Sequence, residues 1–513
     1  MLSAYRHISL LILLAALTTV PGCYEEIIIE HENDFDGHFI LKLNDIDGYT
    51  DLPGKRIFFT IPEDIIEDFS PHVQYSAYNY MIFKGGGLIN DTVNDLGRIE
   101  TGLPYPLVCL QNEKKDTFNI VFTTLPLIHF FTEDEIRDEP KSPGTLYMQY
   151  RMPGSGDVGS ISFISFAGIE IRGASSMKYG KVSYGLELWK NKQEDDYTTS
   201  LLDMRPNEDW VLDAMYIDDL RMRNKLSFDV WKQIATVPAN DTSRQFFPGI
   251  NIRYVELLIN NRYLGVYGLG EKVNEQLLGF SDDQLLEGGR IYKAIRWADG
   301  STKFETYHHP PGKSFTWDGW EQIYPKHDTA WVPLDRLRQF VVYSSDSIFK
   351  EKVFQYFDAD NLVHSLLFLN LIKGNDNAGK NNFLARYRSN SQFFMIPWDI
   401  ESSWGLAWDR STVSPVGFLS NNLYDRLMAT NAGNFRDQIS TRWFHYREGA
   451  FSEEQLSEII LSNYNRLATS KAYEREAATW TEFSIDPEEE YEEISSWLTE
   501  RLDYLDQYYR ALE

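Results

Sequence analysis

The sequence predicts an α+β chain, with a β-sandwich-like N-terminal domain followed by a mixed lobe and a helical lobe. Three observations predict it. Residues 24 to about 122 alternate apolar and polar in short bursts, such as Phe39-Ile40-Leu41-Lys42-Leu43 and Arg56-Ile57-Phe58-Phe59-Thr60, between turn pairs such as Asp47-Gly48 and Pro53-Gly54. From about 123 to 325, strand-like runs surround a helical stretch, and beyond about 330 helical spacing and helix caps take over. At 513 residues the chain exceeds one ordinary core, so two or three domains are expected.

Taken in order, residues 1–22 read as an export signal: Arg6 gives the positive start, Leu10 to Ala16 the apolar core, and Val20-Pro21-Gly22-Cys23 the cleavage site. The apolar run is too short for a permanent bilayer span. Cys23 after a small residue resembles a bacterial lipobox, so the expectation is an exported, lipid-anchored envelope protein on the outer membrane or cell surface, with simple secretion as the alternative. Lipidation at Cys23 would leave Cys109 without a disulfide partner, as a buried small hydrophobe.

Residues 23–122 form the β domain. Within it, Asn33-Asp34-Phe35-Asp36-Gly37 and Asn44-Asp45-Ile46-Asp47-Gly48 echo calcium loops but lack the later ligands, so hairpin turns explain both.

Residues 123–325 form the mixed lobe. It has strands at Ser160-Ile161-Ser162-Phe163-Ile164 and Gly168-Ile169-Glu170-Ile171-Arg172, a helix over 217–235, and a hairpin turning at Asn260-Asn261. Residues 300–328 read as loop, and the adjacent His308-His309 before two prolines lacks metal-ligand spacing.

Residues 326–513 form the helical lobe. A helix over 361–373, apolar nearly all round, stops at Gly374. Ser452-Glu453-Glu454-Gln455 and Asp486-Pro487-Glu488 open two more helices.

There are 76 acidic against 49 basic residues, a formal net charge of −27. This argues against nucleic acid as a partner, since phosphate backbones need basic patches. It favours cations or basic peptides, or reflects solubility alone.

One constellation suggests chemistry. Asp376 is followed five positions later by Asn381, and Asp399 follows the strand-like run Phe393-Phe394-Met395-Ile396. Phosphoryl transfer on a protein-kinase plan needs this order, with one Asp orienting the hydroxyl and an Asn and a second Asp holding Mg²⁺. The alternatives are structural. Asp376 could cap the loop after the buried helix, and Asn382 could replace Asn381 if the register differs by one. Lys293 contacts nucleotide or is a solvated strand lysine, and Trp398 and Trp404 are core or a stacking wall.

Four blocks in order resemble the CotH kinase family. They are Ile171-Arg172-Gly173-Ala174-Ser175-Ser176 with Lys181, Asp209-Trp210-Val211-Leu212 with Asp218-Asp219 and Arg223-Asn224, Tyr263 to Glu271, and the Asp376/Asn381 loop running to Pro397-Trp398-Asp399-Ile400-Glu401. The resemblance spans roughly residues 125 to 500 and leaves the β domain outside.

The resemblance implies an atypical protein-kinase-like fold that uses ATP and Mg²⁺ to phosphorylate serine on an envelope or secreted protein. It assigns Asp376 as general base and Asn381 and Asp399 as metal ligands. Arg172, Gly173, Ser175 and Ser176 would form a turn at the phosphates, Lys181 would reach them from the next strand, and Glu271 would pair with a cation or face the nucleotide. Arg172 as a structural ion-pair partner, and Arg223 tied to Asp218 or Asp219, are the rival readings. Two positions depart from the family pattern: Val182 stands where a second basic residue is usual, and Glu401 where the family has Asp. The function classes open at this point are a kinase, a non-catalytic surface adhesion lipoprotein on the same fold, and a polysaccharide-binding accessory protein.

Overall fold

A computed structural model describes residues 26–29, 39–76, 78, 80–84, 96–112, 114–150, 161–173, 179–192, 194–236, 248–280, 288–481 and 486–512. The export signal, Cys23, the first Asp-Gly echo at 33–37, Ser175 and Ser176 lie outside the described residues.

Among the described residues, the N-terminal region builds a six-stranded sheet, in which Pro104–Gln111 pairs with Lys114–Thr123, beside a three-stranded sheet containing Leu41–Leu43 and Val73–Tyr75. Leu41, Val73 and Tyr75 meet Ile57, Phe118 and Ile120 in one core. Asn44 and Asp45 both have positive φ, 52° and 61°, so the second Asp-Gly echo is a hairpin turn between Leu41–Leu43 and Ile46–Asp47. Cys109 is a free, buried thiol in that core, pushed up to about 12 by burial.

The mixed lobe is a closed barrel of seven strands among the described residues. They are β1 (Leu127–Phe131), β2 (Ser142–Tyr150), β3 (Ile161–Arg172), β4 (Ser183–Trp189), β5 (Asp209–Asp213), β6 (Ile252–Ile259) and β7 (Arg262–Glu271). The order is β1-β2-β3-β4-β5-β7-β6, and β6 closes onto β1 in parallel. Phe130, Leu146, Ile169, Leu186, Leu212 and Leu257 fill one core, as expected for a small barrel. The β6–β7 turn places Asn260 and Asn261 at φ 46° and 58°, the conformation that a tight hairpin needs and Asn tolerates.

Helix α1 (Arg223–Ile234) starts later than the apolar spacing suggests. The Asp218 carboxylate accepts the N–H groups of Met222 and Arg223, at 2.6 Å each, and Arg221 sits at φ 52°. The residues from 217 are therefore the cap rather than the first turns.

A second sheet has five strands among the described residues: β8 (Arg290–Ala294), β9 (Thr316–Trp317), β10 (Trp320–Tyr324), β11 (Asn382–Arg386) and β12 (Phe394–Pro397), in the order β9-β10-β8-β11-β12. It spans the boundary expected near 325 and puts short strands in the stretch expected to be loop. Trp317, Trp320 and Tyr324 are buried, which anchors that segment to the core.

Around the sheet lie α2 (Val332–Tyr343), α3 (Asp346–Tyr356), α4 (Ala359–Ile372), α5 (Asn422–Thr430), α6 (Phe435–Arg447), α7 (Glu453–Thr469), α8 (Ala472–Thr479) and α9 (Pro487–Arg510). One core unites α1, α4, α9 and the sheet through Trp231, Leu366, Phe383 and Leu498. Helix α4 is buried almost all round and ends at Lys373, which takes the left-handed cap at φ 50° ahead of Gly374. The Lys373 ammonium secures it by donating to the carbonyls of Ser414, at 2.7 Å, and Val416. Ser452 and Asp486 cap α7 and α9 through their side chains.

Candidate active site

The loop after α4 folds as a single 3₁₀ turn, Asp376–Ala378, and enters β11 through Asn381 at φ 56°. Strand β11 returns as β12 in antiparallel pairing, with Asn382 opposite Pro397. The seventeen residues between Asn381 and Asp399 are therefore one hairpin, which brings the two ends together. The Asn381 amide donates to the Asp399 carbonyl at 3.3 Å, and Asp399 holds a left-handed φ of 50°.

The neighbouring asparagines are committed to the loop itself. Asn382 donates to the carbonyls of Asn377 and Lys380 at 2.6 and 2.9 Å, and Asn377 donates to those of Asn381 and Trp398 at 3.0 and 2.9 Å. Of Asn381 and Asn382, Asn381 is the one that lines the cavity described next.

That cavity, of about 240 Å³, lies between the barrel and the helical lobe. The barrel contributes Arg172 and Gly173 at the end of β3 and Asp213 at the end of β5. The other side contributes Asp376, Lys380, Asn381, Trp398, Asp399 and Glu401. Gly173 has φ 116°, a backbone region open essentially to glycine alone, and so turns the chain away from β3 at the rim. Asn224, first-turn residue of α1, joins the two sides: its amide N–H donates to Asp213 at 2.7 Å, and its amide oxygen accepts from Ile400 N–H at 3.1 Å.

Charges divide across the cavity. Asp376 pairs with Lys380 at 2.8 Å. Asp399 opens to solvent inside the cavity, yet protein surrounds it; burial and then Asp213 raise its pKa against the pull of Lys293, Arg172 and Lys380. Glu401 accepts from Ile217 N–H at 3.1 Å and is raised well above the usual carboxylate range by burial, then Asp213 and Asp399. The Arg172 guanidinium lies 5.8 Å from the Trp398 ring centre, and burial holds it below its ordinary value despite Asp399 and Asp213. Lys293 lies 5.6 Å from the same ring and is lowered to about 8, first by burial and then by Arg172. Trp398 is thus both buried and a wall between two cations, whereas Trp404 is core, donating from Nε1 to Ser227 at 2.9 Å.

Arg172, Gly173, Asp376, Asn381 and Asp399 therefore share one cavity, but two other expected residues do not reach it. Lys181 is fully buried against Glu476 at 2.5 Å, with Arg221 on the same carboxylate at 2.9 Å. Burial lowers Lys181 to about 8. It acts as a strut between barrel and helix α8, because its ammonium is consumed inside the protein. Glu271 is also fully buried, clamped by Arg205 at 2.5 Å and by Asn251 N–H at 2.7 Å, so it holds two loops rather than facing a ligand.

The Asp376 carboxylate pairs with Lys380, while its backbone carbonyl accepts the Gly379 and Lys380 N–H groups at 3.2 and 2.9 Å that close the turn. Arg223 is tied to Asp218, as its structural reading has it. Residues missed as site members are Asp213, Lys380 and Asn224. Asp213 directly follows the quoted Asp209-Trp210-Val211-Leu212 run, and an acid at a strand end was the available signal.

Among the described residues no three His, Cys, Asp or Glu side chains are arranged to hold a metal by themselves. The donor chemistry still suits a hard cation. Asn381 and Asp399 present oxygen-bearing groups beside Asp213 and Glu401; burial first, and then carboxylate repulsion led by Asp213, raises Asp399 and Glu401, and a divalent cation would relieve that repulsion.

A family model described as CotH kinase protein matches residues 169–505. Inner spore coat protein H of Bacillus subtilis (strain 168) is 24% identical over 308 residues, which cover 58% of this chain and 76% of that protein. The matched span begins two strands before Asp213, takes in both walls of the cavity and ends in α9, so the whole site falls inside it: the chain belongs to the CotH family.

Proposed function

We propose that the chain is an atypical protein kinase that transfers the γ-phosphoryl group of ATP to a serine hydroxyl on an envelope or secreted protein. The observation that carries this reading is the single cavity in which Asp376 meets Asn381, Asp399 and the Arg172 cation, with Lys293 5.6 Å from the ring of its Trp398 wall. Family membership supports it at the coarser level.

In this reading Asp376 orients the serine hydroxyl and takes its proton, while Lys380 at 2.8 Å sets the direction of that carboxylate. The serine oxygen bonds to the γ-phosphorus, the bond to the β–γ bridging oxygen breaks, and ADP leaves with that electron pair. Arg172 and Lys293 hold phosphate oxygens. Val211, Ile217, Ile250 and Ile252 supply an apolar wall suited to a nucleobase. Asn381 and Asp399 would hold Mg²⁺, which when bound supplies neutralisation of phosphate charge. The cellular setting we propose is export and anchoring through a lipid on Cys23, with a basic, serine-containing peptide as the substrate that the −27 charge favours.

The test is ATP calorimetry on the wild type and Asp399→Ala, with and without Mg²⁺. Mg²⁺-dependent binding that disappears in the variant is expected. A folded wild type that binds no nucleotide would overturn the kinase reading in favour of a surface adhesion module.

A further inference from the structure

Strands β8 and β11 run from the transfer cavity to a second pocket. At one end Ala294 pairs with Asn382, beside the Asp376 loop; at the other, Arg290 pairs with Arg386, four residues or about 13 Å away. There, Arg290, Arg386 and Arg336 line a pocket of about 580 Å³ with the first residues of α2. Among the described residues no carboxylate lines it, although the chain carries 76 acids.

Several buried arginines are matched inside the protein, Arg221 with Glu476, Arg338 with Asp318, Arg475 with Glu256, and Arg501 with the carbonyls of Asn370, Pro415 and Gly417. Among the described residues, the partly buried Arg290 and Arg386 and the exposed Arg336 pair with no carboxylate. The Nε atoms of Arg290 and Arg386 are buried without a hydrogen-bond partner. Arg386 donates to the Ser389 carbonyl at 3.3 Å and lies against the Phe393 ring, and Arg290 donates to its neighbour Gly289 O at 2.6 Å. Burial, and then the nearby Arg290 and Arg336 charges, hold Arg386 below its ordinary range despite Tyr292.

The helix end adds to this field. Helix α2 begins without a side-chain cap, at Trp331, so its positive end faces the pocket through Val332 and Pro333. The one acid of its first turn, Asp335, is turned to Tyr307 at 2.5 Å and Gln339 at 3.1 Å. Three guanidinium groups lining one pocket with no carboxylate among the described residues match the oxygens of a phosphomonoester, which accepts several charge-assisted bonds at once. The pocket is far larger than one phosphate ion. Its sides include Phe393 and Val332, the latter 58% exposed, with Ser389 and Ser391 at the rim, which suits peptide on either side of the charged group.

We propose that this pocket docks the phosphate of a phosphorylated peptide at a site separate from the transfer cavity. The proposal does not depend on the kinase reading, because binding is measured with no nucleotide present. The experiment is fluorescence anisotropy on the full chain with a labelled phosphoserine peptide, its unphosphorylated twin, and inorganic phosphate as competitor. The proteins are the wild type, Arg336→Gln, Arg386→Gln and Asp399→Ala, each checked by thermal melting.

The phosphopeptide is expected to bind and its twin not. Affinity should fall roughly tenfold or more in Arg336→Gln, whose exposed position spares the fold, and remain unchanged in Asp399→Ala. Equal binding of both peptides, or phosphopeptide binding indifferent to both arginine changes, would overturn the site. Arginine-dependent binding of inorganic phosphate as tight as that of the peptide would keep the anion site and overturn the peptide as its ligand.

Discussion

Asp376 lines the cavity and Lys293 packs against its Trp398 wall, and the contribution of each can be read in solution. Among the described residues the Asp376 carboxylate pairs with Lys380 alone and contributes little to the core, so Asp376→Asn should leave the melting temperature within the range of a surface change. Under the proposed reaction, phosphoryl transfer to a serine peptide should fall by about 10²–10⁴-fold. Wild-type turnover in this variant would remove Asp376 as base.

Lys293 is lowered to about 8 because burial penalises its charge. Its ammonium should therefore serve phosphate oxygens below that pH and be lost above it. Nucleotide affinity is expected to weaken as pH rises through about 8, and Lys293→Arg should carry the weakening to higher pH. A flat calorimetric pH profile in the wild type would exclude Lys293 from the phosphates. The effect on stability has the opposite sign. Between about 8 and the ordinary value of 10.5 the unfolded chain holds the extra proton, so this residue's destabilisation is greatest below the window and is relieved as pH climbs through it.

At the scale of elements, helix α8 is fastened to the barrel by a buried charge cluster. Glu476 receives Lys181 from the β4 side, Arg221 from the segment before α1, and the Val266 N–H of β7 at 2.8 Å. It presses against β7 at Gly265, where φ is 94° and a Cβ would sit 2.1 Å from its carboxylate oxygen. Glu476→Gln would leave two buried cations without a counter-charge, so a loss of about 3–5 kcal/mol is expected in denaturant unfolding. A change within about 0.5 kcal/mol would show that the cluster is not holding α8. The same logic separates this cluster from the transfer cavity: the loss should appear in stability first, since Lys181 lies outside the cavity.

For the whole molecule, the site exists only where barrel and helical lobe meet, joined by Asn224 between Asp213 and Ile400. The whole chain carries a net charge of −27. If the substrate is a basic serine peptide, its KM should rise as ionic strength increases from about 0.01 to about 0.15 M, because screening shortens the reach of the field from roughly 30 to 8 Å. A KM independent of salt would mean that the acidic surface serves solubility alone.

The sequence by itself determined what local physics controls. Period-2 alternation and Asn-Asn or Asp-Gly pairs marked strands and turns, Ser452 and Asp486 marked helix starts, and the Asp376, Asn381, Asp399 order placed three polar groups around one hairpin. Family membership was also legible, since its blocks are short and contiguous. Tertiary structure alone decided the rest. Closure of seven strands into a barrel depends on the parallel β1–β6 pairing between residues more than a hundred positions apart. Lys181 and Glu271 looked available for phosphate and nucleotide, yet their partners Glu476 and Arg205 are distant in the chain and spend their charges in the interior. Asp213 went unrecognised for the converse reason, and Lys293 was left open between nucleotide contact and solvated strand lysine: each looked ordinary in its strand until packing turned it toward carboxylates or cations carried by other elements. A side chain's chemistry is written in sequence, but whether its charge is free or already neutralised depends on contacts that only the folded chain makes.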